Sequence, residues 1–270
     1  MTFNDISARG LVLLGCGKMG SAMLQGWLDR GLPPEAIWVS DPNPSEWLLH
    51  QGVHVNEPLP QAPAIVLVAV KPQMMAAALP TLKAMGGGPT LFLSVAAGTS
   101  LDHFASVLGT GTPVIRAMPN TPAAIGRGIT ALVGNAHADE TALDLAETLL
   151  SAVGQTVRLE DEAQMDAVTA VSGSGPAYVF HLIETLAAAG VAQGLPEDLA
   201  MRLALATVGG AGQLAETAAE TPAQLRENVT SPAGTTAAAL AVLMDPDTGF
   251  PALLQRAVQA AADRSRELGQ

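Results

Sequence analysis

Cysteine is almost absent from this chain. The single Cys16 excludes an intrachain disulfide, and the N-terminus lacks the basic segment and apolar stretch of a secretory signal, so a cytoplasmic protein is expected. Long apolar runs are also missing. The stretch 64–70 is stopped by Lys71 and Pro72, far short of the roughly 18 apolar residues that argue for a spanning helix. Positive charge is scarce: 13 Lys and Arg stand against 25 Asp and Glu, for a formal charge of −12. No basic stripe is available to displace counterions, which argues against nucleic-acid binding. An anionic ligand must then be held locally, by backbone amides at helix starts and a few placed side chains. Aromatics make up 3% of the chain against 49% hydrophobic residues, so the core must be built from Ala, Leu and Val on closely approaching helices. The five histidines, His50, His54, His103, His137 and His181, show no metal-ligand spacing with one another or with Cys16, and no metal is expected.

What is present falls into two halves. Up to about Asp161, short β-type runs alternate with Ala- and Leu-rich helical stretches, the pattern of a doubly wound parallel sheet. Strands are predicted at 11–14, 37–40, 65–70, 91–95, 114–117, 129–133 and 156–159, several apolar throughout, as strands covered on both faces must be. A crossover helix is predicted over 18–30, closed by Gly31 and the break at Pro33 and Pro34. Beyond Asp161 the β signal stops, which divides the chain into an α/β domain, 1–161, and an all-helical one, 162–270. Helices are predicted from Pro176 onward and over 196–209, 222–229, 235–244 and 251–267. Val179, Ile183, Leu186 and Gly190 share one face of the first.

Gly15-Cys16-Gly17-Lys18-Met19-Gly20 follows the first strand and opens the first helix. In that context a GxGxxG pattern reads as a dinucleotide fingerprint: a tight turn at Gly15, backbone approach to a pyrophosphate at Gly17, and helix–strand packing at Gly20. Asp41, about twenty positions on, stands where an acid binds the ribose hydroxyls of NAD and repels a 2′-phosphate. Its neighbours Ser40 and Asn43 could instead hydrogen-bond a phosphate if the carboxylate turns away, so the residues leave NAD and NADP both open. Two more strand ends point to the same crevice. One is Ala69-Val70-Lys71-Pro72, with one of only three lysines; the other is Val95-Ala96-Ala97-Gly98, small enough to leave room for a nicotinamide ring. Met118-Pro119-Asn120-Thr121-Pro122 closes a third strand in the same way.

Two segments of the helical half are too polar and Gly-rich for ordinary connections. They are Val168-Thr169-Ala170-Val171-Ser172-Gly173-Ser174-Gly175-Pro176-Ala177-Tyr178 and Leu225-Arg226-Glu227-Asn228-Val229-Thr230-Ser231-Pro232-Ala233-Gly234-Thr235-Thr236. Both resemble the signature segments of the pyrroline-5-carboxylate reductases. With the glycine loop and the strand ends above, the resemblance covers nearly the whole chain in the family's order. It implies a Rossmann domain and a helical dimerisation domain. It also implies reduction of L-1-pyrroline-5-carboxylate to L-proline, the last step of proline biosynthesis, in a homo-oligomer built from dimers. By the same resemblance Gly15 to Gly20, Asn56, Ala69, Val70, Lys71, Val95, Ala96 and Ala97 contact the dinucleotide, with Ser40 and Asp41 beside it. NADPH is favoured and NADH also usable. Glu162, Ser231, Gly234, Thr235 and Thr236 contact the substrate, and Thr236 donates to or orients the imine nitrogen. Where the family has Pro-Gly-Gly this chain has Pro232-Ala233-Gly234, so a positive φ at Ala233 would be strained. A β-hydroxyacid dehydrogenase would need a lysine in the helical half, and none follows Lys83. A dinucleotide sensor without turnover would leave the second-half signatures without purpose.

Overall fold

The computed structural model describes residues 3–269, with side chains from residue 5 on. The chain forms two compact units, one running through Gly173 and including the stretch from Ala262 on, the other Ser174–Ala261.

The first unit is built on one sheet of eight strands: β1 Leu11–Leu14, β2 Ile37–Ser40, β3 His54–Val55, β4 Ile65–Val68, β5 Leu91–Ser94, β6 Val114–Met118, β7 Gly128–Gly134 and β8 Gly154–Arg158. Their order in the sheet is β3-β2-β1-β4-β5-β6-β7-β8. Every residue of β1, β4 and β5 is buried, because helices cover both faces of the centre. β1 pairs in parallel with β2 on one side and β4 on the other, Leu11 facing Ile37 and Ile65. This is the topological switch point, and it opens a crevice at the carboxyl ends of the strands.

The expected parallel sheet needs one correction. β7 runs antiparallel to β6, and β8 follows β7. The link between β6 and β7, residues 119–127, is too short for a crossover, which takes a dozen or more residues. The strand expected over 65–70 ends at Val68, because Pro72 opens the helix Pro72–Ala78 directly after it. The crossover helix, Lys18–Asp29, ends before Gly31 at φ +85 and is pinned by Trp27, whose buried indole N–H donates to the Leu149 carbonyl at 2.9 Å.

In the second unit the helices Gly175–Ala192, Glu197–Thr217, Pro222–Asn228 and Thr235–Leu243 are followed by the start of the helix Phe250–Leu268. Its internal core consists of Ala187, Ala200 and Ala204, with Ile183 packed against them. Small residues let the first two helices approach closely: a Cβ at Gly190 would lie 3.3 Å from the Ala200 Cβ. The face shared by Val179, Ile183, Leu186 and Gly190 is covered only in part, and Val179 and Leu186 each remain 43% exposed. Phe180, Leu205, Leu214 and Val242 are likewise more than half exposed, and the apolar helix Thr235–Leu243 buries no residue at all.

Candidate active site

The three glycines of the loop after β1 stand there for three different reasons. Gly15 has φ +88, donates its N–H to the Ser40 carbonyl at 2.8 Å, and has the Ala69 carbonyl oxygen 2.9 Å from where a Cβ would sit. A Cβ on Gly20 would lie 2.4 Å from the Gly15 carbonyl oxygen, so the helix can seat on the strand only without one. At Gly17 the same position is open, with no atom within 4 Å. Gly17 is also the N-cap of the helix Lys18–Asp29 and supplies no side-chain cap, which leaves the first-turn amides and the positive end of the helix dipole for an anion. This cradle fits the pyrophosphate of a dinucleotide.

The neighbouring strand ends collect beside it. The Ala69 N–H donates to the Leu14 carbonyl and the Val95 N–H to the Val68 carbonyl, so the segments 69–71 and 95–97 line up with the glycine loop at the carboxyl end of the central strands. Lys71 is exposed at the start of the helix Pro72–Ala78, while Ala96 is buried. Asp41 stands at the end of β2 with its carboxylate turned toward the loop: Oδ2 accepts the Cys16 N–H at 2.6 Å and Oδ1 the Asn43 N–H at 2.8 Å. Asn56 brackets the Asp41 backbone, its Oδ1 accepting the Asp41 N–H at 3.0 Å and its Nδ2 donating to the Asp41 carbonyl at 2.9 Å. Asn56 does this at φ +56, a conformation that asparagine tolerates better than most residues. The Cys16 thiol is pushed up to about 11, first by burial and then by the Asp41 charge, and stays protonated at neutral pH.

Glu162 begins a short helical turn in the first unit. Its Oε1 accepts the Leu101 N–H at 2.9 Å and a guanidinium N–H of Arg116 on β6 at 2.8 Å. Sequence reasoning did not single out Arg116. The available signal was a lone arginine within the otherwise apolar run of β6. Arg116 and Glu162 line an open-sided pocket of about 400 Å³ with Gly98, Ser100 and Asp166.

The other expected substrate residues share one turn of the second unit. The Gly234 N–H donates to the Ser231 carbonyl at 3.1 Å, and a Cβ at Gly234 would strike the Ser231 Oγ at 2.5 Å. Gly234 is the N-cap of the helix Thr235–Leu243 and adds no side-chain cap, so amides and the hydroxyls of Thr235 and Thr236 gather at the helix start. Thr235 is exposed and Thr236 half-buried. Ala233 adopts φ +57, the strained left-handed conformation expected from the missing glycine. Such a conformation costs an L-residue about 1–2 kcal/mol, part of which a glycine gives back through its freer unfolded chain. Ala233→Gly is therefore expected to raise the melting temperature by about 2–4 °C; an unchanged or lower value in a thermal melt would show that the turn relieves this strain elsewhere.

Among the described residues no helix is long and apolar enough to cross a membrane, and no group of His, Cys, Asp and Glu could hold a metal ion. Residues 162–268 match the family described as pyrroline-5-carboxylate reductase dimerisation, and residues 11–98 match NADP oxidoreductase, coenzyme F420-dependent. The chain is 40% identical to a pyrroline-5-carboxylate reductase of Pseudomonas aeruginosa, with 98% of each chain aligned. In three dimensions it is similar to a pyrroline-5-carboxylate reductase from Coxiella burnetii, with TM-score 0.91, 32% identity, and coverage of 97% of this chain and 99% of that one. It is also similar to the Plasmodium falciparum pyrroline carboxylate reductase with NADP bound, with TM-score 0.83, 28% identity, and 98% and 99% covered.

Proposed function

The chain belongs to the pyrroline-5-carboxylate reductase family, and from that membership we infer that it reduces L-1-pyrroline-5-carboxylate to L-proline with NAD(P)H. The observation that carries this reading is the full-length agreement with the Pseudomonas aeruginosa reductase, joined to a glycine cradle that fits a dinucleotide. When bound there, the reduced nicotinamide supplies the hydride for the imine carbon. What the protein's own residues must do is bind and orient. Gly15, Cys16, Gly17, Lys18, Met19 and Gly20 hold the pyrophosphate on backbone amides. Ser40, Asp41 and Asn56 form the ribose side, and Ala69, Val70, Lys71, Val95, Ala96 and Ala97 line the strand-end wall. Ser231 and the amides around Gly234 and Thr235 take the substrate carboxylate, which suits a chain of formal charge −12 that has no basic patch to spare. The Thr236 hydroxyl addresses the ring nitrogen, and Glu162 completes the substrate contacts. No strong acid or base is needed. NADPH is the preferred donor, with Asp41 limiting the preference.

We assign residues 1–161 to dinucleotide binding and 162–270 to dimerisation and substrate binding. The apolar residues left exposed in the second unit support a homodimer, itself the building block of any larger assembly, with an interface above about 2,000 Å², and we place it in the cytoplasm. The reading is tested by following NAD(P)H oxidation by the purified protein while proline is quantified. Oxidation should require pyrroline-5-carboxylate or a close cyclic imino acid and yield proline. Turnover of hydroxy acids but not of the imine, or nucleotide binding with no turnover, would refute it.

A further inference from the structure

Among the described residues, Arg116 is the one buried residue with a charged side chain. A buried guanidinium is costly unless paired, and its partner is the Oε1 of Glu162 at 2.8 Å. The same oxygen accepts the Leu101 N–H at 2.9 Å, so two donors on different elements, β6 and the start of the helix Leu101–Leu108, fix one side of the carboxylate. Among the described residues no protein group bonds the other oxygen, Oε2. The pocket that Glu162 lines also includes Gly98 and Ser100, which follow the strand end Val95-Ala96-Ala97. A carboxylate here repels the substrate's own carboxylate and suits an N–H donor.

We propose that Arg116 is a positioning residue for the reduction: by holding Oε1 of Glu162 it presents Oε2 as the acceptor for the ring nitrogen of the cyclic imino acid. The inference rests on Glu162 being a substrate contact. The ring binds as its N-protonated iminium, whose N–H is donated to Oε2; the imine carbon gains a hydride, the C=N π pair becomes the lone pair on nitrogen, and the N–H already present stays on the resulting secondary amine. Glu162 takes up no proton in this scheme. It gives direction to the ring and favours the positively charged iminium nitrogen, while Arg116 acts through Glu162.

The test uses the full-length protein and four variants: Arg116→Met, Arg116→Lys, Glu162→Gln, and the double variant Arg116→Met with Glu162→Gln. Arg116→Met should raise KM for pyrroline-5-carboxylate about tenfold or more while KM for NADPH stays within about twofold, and Arg116→Lys should recover part of the loss. Once Glu162 is glutamine, Arg116→Met should add less than about threefold, because the two residues act as one unit. If Arg116→Met lowers only the melting temperature, or exerts its full effect in the Glu162→Gln background, the pair is a structural tie and the proposal is wrong. If Glu162→Gln alone leaves the imine KM unchanged, it is the reading of Glu162 as a substrate contact that fails. Should Arg116→Met not fold, Arg116→Lys carries the test: its imine KM must rise without a change in the NADPH KM, and an unchanged value overturns the proposal.

Discussion

Gly20→Ala is expected to abolish turnover with either nucleotide and to weaken dinucleotide binding by more than about a hundredfold, or about 2.7 kcal/mol. The added Cβ would sit 2.4 Å from the Gly15 carbonyl oxygen. That obstacle is backbone, and it cannot swing aside as a side-chain end could. Gly15 is itself hemmed in by the Ala69 carbonyl, so the strain passes into β4 instead of dissipating. The helix start must lift from the strand, and the amides that converge on the pyrophosphate lose their common focus. Gly17→Ala is the informative control. With no protein atom within 4 Å of its Cβ, the apo fold should tolerate it, and any loss of nucleotide affinity comes from collision with the ligand at an unchanged melting temperature. Titration of both variants with NADPH, followed by protein fluorescence, separates the two mechanisms; wild-type affinity in Gly20→Ala would remove the dinucleotide cradle from the glycine loop.

Thr236→Ala is expected to lower kcat/KM for the imine by at least about tenfold, and up to more than a hundredfold. Thr236 stands in the first turn of the helix Thr235–Leu243, half-buried, directly after the turn closed by Ser231 and Gly234. A hydroxyl there can point out of the helix end instead of bonding back to a carbonyl. If it addresses the ring nitrogen, its hydrogen bond strengthens as charge shifts in the transition state, and the loss appears in kcat as well as KM. Nucleotide affinity and melting temperature should stay close to wild type. A kinetically normal variant, or one inactive only because it unfolds, would make Thr236 a structural cap and leave the lone pair that forms on the ring nitrogen to another donor or to water.

The parts of the fold legible in the sequence were those carried by period and punctuation. The apolar runs of β1, β4 and β5 announced buried strands, and the glycine loop acquired meaning from the strand before it and the helix after it. β3, His54–Val55, is two residues long and leaves no period to read. The reversal at β7 followed from a link too short for a crossover, a geometric limit on no single residue. The strain at Ala233 could be anticipated because one missing glycine in a Gly-dependent turn has only one consequence. The pairing of Arg116 with Glu162 joins residues 46 apart, and nothing in either neighbourhood names the other. Asn56 was expected as a ligand contact through resemblance; that its amide spans the Asp41 peptide depends on β2 and β3 lying side by side.

In the proposed homodimer the helical unit, with three alanines as its own core and Phe180, Leu205, Leu214 and Val242 exposed on the single chain, ties stability to mass action. A dilute chain leaves those helices without a counterpart, so the free energy holding them together grows with protein concentration. Two chains of formal charge −12 also repel as they meet. Added salt shortens the range of that repulsion, to about 8 Å at physiological ionic strength, while leaving the apolar contact intact. Ionic strength therefore acts on the proposed dimer in the direction opposite to its effect on an assembly held by ion pairs: it promotes association, and with it the burial of the apolar side chains that one chain leaves exposed.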